Sequence, residues 1–103
     1  MVTKTLSLPK LNQLNPTLES TALKLMEEAG ELARVIGKFR GLSGEQVRLD
    51  EDIMVDELAK ELLDVAQTAV TMMFVLQDQF DINIEDALKD HYAKLEKKGY
   101  LSR

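Results

Sequence analysis

Between Ile53 and Gln79 two apolar rows repeat at helical spacing, and this segment limits the possible folds more than any other. One row holds Val55, Leu58, Leu62, Val65, Ala69, Met72 and Leu76. The second holds Ala59, Leu63, Ala66, Val70 and Met73. A single polar row, Glu57, Glu61, Asp64, Thr68 and Thr71, lies between them. A helix that is apolar over most of its circumference has to be buried over most of it. A chain of 103 residues holds one modest core, and three short helices do not readily wrap such a segment. A further copy of the chain is expected to supply the missing cover, giving a homo-oligomer, a dimer or tetramer.

The rest of the chain reads as helices of ordinary amphipathicity. Both prolines, Pro9 and Pro16, fall in residues 1–16, which read as an irregular lead or one short helix. Asn15-Pro16-Thr17 is a helix start, proline being favoured in a first turn. From Leu18, apolar residues recur at Ala22, Leu25, Ala29, Leu32, Ile36 and Phe39, defining a helix to about Arg40 that Gly41 ends. Residues 41–52 carry two glycines and no sustained period, and read as a mobile loop holding at most one helical turn. Asn83 is a cap for a third helix, with Glu85 and Asp86 in its first turn. That helix runs through Ala87, Leu88, Tyr92 and Leu95, turns basic at Lys94, Lys97 and Lys98, and stops at Gly99. No segment has the period of a strand. The expected fold is a single all-α domain over 1–103. It is an antiparallel bundle of three main helices plus a short extra helix or turn, completed by oligomerisation.

Composition removes several classes of function. There is no cysteine, so disulfides, zinc thiolate sites and iron–sulfur clusters are excluded. The net charge of -5 and a pI near 4.8 argue against a nucleic-acid or anionic-membrane surface. The apolar-rich stretch Leu62 to Leu76, interrupted by Asp64, Gln67, Thr68 and Thr71, is too short and polar to cross a bilayer. Met1 to Pro16 lacks the apolar core of a signal peptide. The expected compartment is the cytoplasm.

Chemistry enters with two acidic motifs, Glu27-Glu28-Ala29-Gly30-Glu31 and Glu61-Leu62-Leu63-Asp64. Each sets carboxylates three residues apart, on one side of a helix. Such glutamates are ordinarily solvated surface charge. Here Glu28 flanks the apolar stripe beside Leu25 and Leu32, with Glu31 a little further round, and Glu61 and Asp64 sit on the most apolar helix of the chain. Buried carboxylates need a partner, and Lys24, Arg34, Lys38, Arg40 and Lys60 are too scattered to serve both pairs. A divalent cation turns the repulsion into attraction, and all-oxygen ligation suits Mg²⁺, Mn²⁺ or Ca²⁺. Glu27 points nearly away from the apolar centre of its helix, as a surface, intersubunit or auxiliary carboxylate. The lone histidine, His91, reads as a helix-surface residue, and without a Glu-x-x-His pair a di-iron site is not expected.

Glu-Glu-x-x-Glu on one helix followed by Glu-x-x-Asp on the next resembles the MazG-like all-α nucleoside triphosphate pyrophosphohydrolases. Glu28-Ala29-Gly30-Glu31-Leu32-Ala33 and Asp64-Val65 extend the likeness. So does Asp81-Ile82-Asn83-Ile84-Glu85-Asp86-Ala87-Leu88, followed by Lys94-Leu95-Glu96-Lys97-Lys98-Gly99-Tyr100, and the whole covers about residues 18–101. The resemblance implies cleavage of a nucleoside triphosphate between its α and β phosphates, releasing a monophosphate and pyrophosphate. It implies Mg²⁺, with Mn²⁺ a possible substitute, on Glu28, Glu31, Glu61 and Asp64. Glu27 or one of these ligands would take the proton of the attacking water. Lys38, Lys94, Lys97 and Lys98 are candidate phosphate contacts, and Tyr100, beside Gly99, is the first aromatic to test for a substrate contact. The chain departs from the pattern in the 29 residues between Glu31 and Glu61, in lacking tryptophan, and in lacking Asn and Arg at its basic end. A rival from another class is a non-catalytic helical module that binds nucleotide or metal, or only assembles.

Overall fold

The computed structural model describes residues 1–40 and 51–102. Three helices follow one another: α1 (Leu18–Arg40), α2 (Glu51–Phe80) and α3 (Ile84–Lys97). No strand occurs among the described residues, so the all-α expectation holds. None of the helices is long and apolar enough to cross a membrane.

Side-chain chemistry sets most of the ends. At the start of α1, the Ser20 amide donates to Thr17 Oγ1 at 3.0 Å and the Thr17 amide donates to Ser20 Oγ at 2.9 Å, a reciprocal capping box. The second helix begins at Glu51, so residues 51 and 52 belong to it and not to a loop. Acidic Glu51 and Asp52 suit the positive end of the helix dipole. The remainder of the loop expected at 41–52 lies outside the described residues. Phe80 ends α2, where Asp81 takes a φ of 55° and the Ile82 amide donates to the Leu76 carbonyl at 3.1 Å. Asn83 caps α3 by accepting from the Asp86 amide at 3.1 Å. Gly99, at φ 78°, closes α3: its amide donates to Glu96 and that of Tyr100 to Leu95, the paired bonds of a Schellman motif.

Packing departs from the expected pattern. The first two helices pack along each other, while α3 packs on neither to a comparable extent. The polar row of α2, not its apolar rows, faces α1: Thr68 and Thr71 are buried, as are Thr21 and Glu28 of α1. Only Met54 and Val75 form a buried apolar core among the described residues. Val55, Leu62, Leu63 and Met73 of the apolar rows stay exposed, as do Leu23 and Met26 on α1. The radius of gyration is 16.8 Å, against about 13 Å for a compact domain of this length.

Residues 1–17 contain no helix. Part of this lead is strapped along α2. Gln67 Nε2 donates to the Pro9 carbonyl at 2.9 Å, Lys10 pairs with Asp78, and Gln79 Nε2 donates to the Pro16 carbonyl at 3.3 Å. The Lys10 ammonium also sits 5.6 Å from the centre of the Phe74 ring.

Candidate metal centre

Where α1 meets α2, Glu28, Glu31 and Glu61 each bring a carboxylate oxygen within 4.8 Å of the others. The periodicity explains the meeting. Glu28 and Glu31 are one turn apart on α1, and Glu61 belongs to the polar row that α2 turns toward α1. Glu28 is buried, and Glu31 and Glu61 are half-buried.

One oxygen of Glu28 is accounted for, because Lys24 Nζ lies 3.0 Å from Oε1 one turn earlier on the same helix. That hydrogen bond, with the Glu27 charge 3.6 Å away, holds the Lys24 ammonium above the ordinary lysine range. Glu28 Oε2 and Glu61 Oε2 are buried and meet no donor among the described residues. Burial raises the Glu61 pKa above the ordinary glutamate value, and the charges of Glu31, Asp64, Glu28 and Glu57 raise it further. Anionic oxygens held together without donors are a poor arrangement for protein alone and a good one around a cation. Ligands about 2.1 Å from Mg²⁺ stand at most about 4.2 Å apart, so the three carboxylates need only small side-chain adjustments to enclose one. Their hard oxygen donors fit that ion, or Mn²⁺, without any nitrogen or sulfur ligand.

Asp64 stands outside this triplet. It is exposed one turn beyond Glu61, its carbonyl accepts from Thr68 Oγ1 at 2.9 Å, and its charge is among those acting on Glu61. Glu27 is exposed and paired with Lys24. Lys38 is half-buried near the end of α1. Lys94, Lys97, Lys98 and Tyr100 are exposed at the far end of α3, away from the α1–α2 packing.

A cleft of about 420 Å³ opens beside the carboxylates, with Glu28, Asp64 and Lys24 in its lining. Thr21, Thr68, Thr71 and Gln67 line it from the helices. Leu11, Leu14, Asn15 and Pro16 of the lead wall its other side. Sequence reasoning anticipated neither this cleft nor the Lys24–Glu28 pair. The i,i+4 spacing of Lys24 and Glu28 was the available signal for the pair. Thr68 and Thr71, polar within the most apolar helix, were the signal for the cleft.

A family model described as the MazG nucleotide pyrophosphohydrolase domain matches residues 16–99. The uncharacterized protein YvdC of Bacillus subtilis (strain 168) is 37% identical over 79 residues, which is 72% of this chain and 68% of that protein. No solved structure matches at a comparable level of significance.

Proposed function

The chain belongs to the MazG nucleotide pyrophosphohydrolase family, and from that membership we propose that it hydrolyses a nucleoside triphosphate between the α and β phosphates. The products are a nucleoside monophosphate and pyrophosphate. The observation that carries the reading is the pair of buried, donorless oxygens on Glu28 and Glu61 inside a triplet of carboxylates. Glu28, Glu31 and Glu61 would hold Mg²⁺, or Mn²⁺ in its place, with Asp64, one turn beyond Glu61, as the fourth carboxylate. A bound divalent cation supplies charge neutralisation and polarisation of phosphoryl oxygens.

The protein's own part is positional and electrostatic. Without a cation the cluster repels a triphosphate, so the site discriminates for substrate that arrives together with metal. Rigid helices fix Glu28 and Glu61, which costs little reorganisation when charge develops. The water's proton goes to Glu27 or to a ligand carboxylate. Lys24, which lines the cleft, is one candidate ammonium for the phosphates. Lys38 is the other candidate from α1. Lys94, Lys97, Lys98 and Tyr100 reach substrate when an antiparallel bundle of two or more copies brings one chain's α3 to another chain's cleft.

The test is pyrophosphate release from a panel of ribo- and deoxyribonucleoside triphosphates with Mg²⁺. Turnover that is abolished by EDTA and by Glu31→Gln or Asp64→Asn supports the proposal. Folded, Mg²⁺-binding protein that releases nothing from any member returns the chain to the rival reading, a binding module.

A further inference from the structure

The cleft beside the carboxylates is built from two sources. Its helical side comes from α1 and α2, within the family-matched region 16–99. Its other side, Leu11, Leu14 and Asn15, precedes that region. This lead is not loosely attached. Gln67, itself a lining residue, donates to the Pro9 carbonyl, and Lys10 reaches across to Asp78 and the Phe74 ring. Gln79 holds the Pro16 carbonyl at the other end. A segment of irregular backbone is therefore tied to α2 on both sides of the residues that line the cleft.

Resting on the hydrolase reading above, we propose that the strapped lead is the specificity element of the site: Leu11 and Leu14 form the wall against which the nucleoside of the substrate packs. Glu28, Asp64 and Lys24 mark the phosphate end of the cleft, so a triphosphate held there directs its sugar and base toward the lead. The volume of about 420 Å³ lies within the roughly 300–1,000 Å³ typical of small-molecule pockets. The chemistry of the lining says how the base is held. None of the described lining residues is aromatic, so this wall offers aliphatic packing and hydrogen bonding, and any stacking on the base comes from outside it. Several polar groups are already committed within the protein: Thr21 Oγ1 donates to the Thr17 and Leu18 carbonyls, and Gln67 Nε2 to Pro9 and Thr71. Discrimination therefore falls to shape, which the leucines of the lead set.

The experiment compares kcat/KM across the triphosphate panel for the wild type, Leu14→Ala, and Leu11→Ala. A third variant, Lys10→Ala, releases the strap without altering the cleft lining. Leu14 is largely exposed, so its truncation leaves the fold intact, and circular dichroism with Mg²⁺ titration verifies fold and metal site for each variant. The expected result is a changed order of substrates. The ratio between the best and the next substrate shifts about tenfold, the scale on which a few methylenes discriminate in an apolar pocket, while Mg²⁺ affinity is unchanged. Wild-type turnover with the same substrate order in all three variants overturns the lead proposal and leaves the hydrolase standing. A wild type that turns over no member overturns both.

Discussion

Glu61 concentrates the electrostatics of the site, because partial burial and four neighbouring carboxylates all favour its proton. The folded chain holds that proton more tightly than the unfolded chain does. The contribution of Glu61 to the stability of metal-free protein is accordingly full below the ordinary glutamate pKa and is lost as pH rises through the raised folded value. Glu61→Gln removes the ionisation while keeping the shape. Its melting temperature without metal should exceed that of wild type at pH 7, and the difference should vanish toward pH 4. A lower melting temperature for the variant at pH 7 would mean that the cluster is not strained by its charge. The same substitution should cost on the order of 100-fold or more in kcat/KM, at least what loss of a supporting group around a metal costs. Mg²⁺ affinity should weaken on acidification at a pH above the ordinary glutamate range, since binding has to displace the Glu61 proton. Much of this was legible beforehand, because carboxylate spacing and the apolar setting of Glu61 single out the cluster. Asp64 was grouped with it on spacing, on its place in the same apolar helix and on the family resemblance. Spacing fixes the side of a helix, but the rotamer that leaves Asp64 pointing to solvent is a tertiary outcome.

At the scale of elements, the ends were more legible than the packing. Asn83, Gly99 and the 18–40 period mark helix limits through local chemistry, and the structure follows them. The polar row of α2 was harder to place. Periodicity identifies a face but not what that face meets, and here Thr68 and Thr71 of that row are buried while the apolar rows are half-buried or exposed. The third helix shows why such faces matter. It has 14 residues and little packing on the rest of its own chain, and isolated helices shorter than about 12–15 residues are marginal in water. Its cap therefore carries an unusual share of its stability. Asn83→Ala should destabilise α3 by about 1 kcal/mol. Hydrogen exchange would show this as faster exchange at amides 86–97, with those of α1 and α2 unchanged. Equal acceleration along all three helices would mean that α3 unfolds only with the whole molecule.

For the molecule as a whole, the surface argues for company. The accessible area is 8230 Å² at 11.6 kDa, where a compact monomer of that mass exposes about 5,800 Å². The excess, roughly 2,400 Å² per chain, is about three times the approximately 800 Å² that each partner buries in a standard interface. Leu62, Leu63 and Met73 on α2, with Leu23 and Met26 on α1, are exposed side chains of the kind a second copy would cover. A permanent interface is more apolar than a transient one, and these faces have that character. Light scattering coupled to size exclusion should give a mass at least twice 11.6 kDa. Leu63→Asp should shift it toward the monomer, since burying an unpaired carboxylate is costly. If α3 is held by the neighbouring copy, the dissociated variant should also lose helical signal equivalent to about one turn or more of each chain. It should lose turnover too, because Lys94, Lys97 and Lys98 would no longer reach a cleft. A monomeric wild type that turns over normally would place those lysines outside the chemistry, and would leave the exposed apolar rows to a partner of another kind.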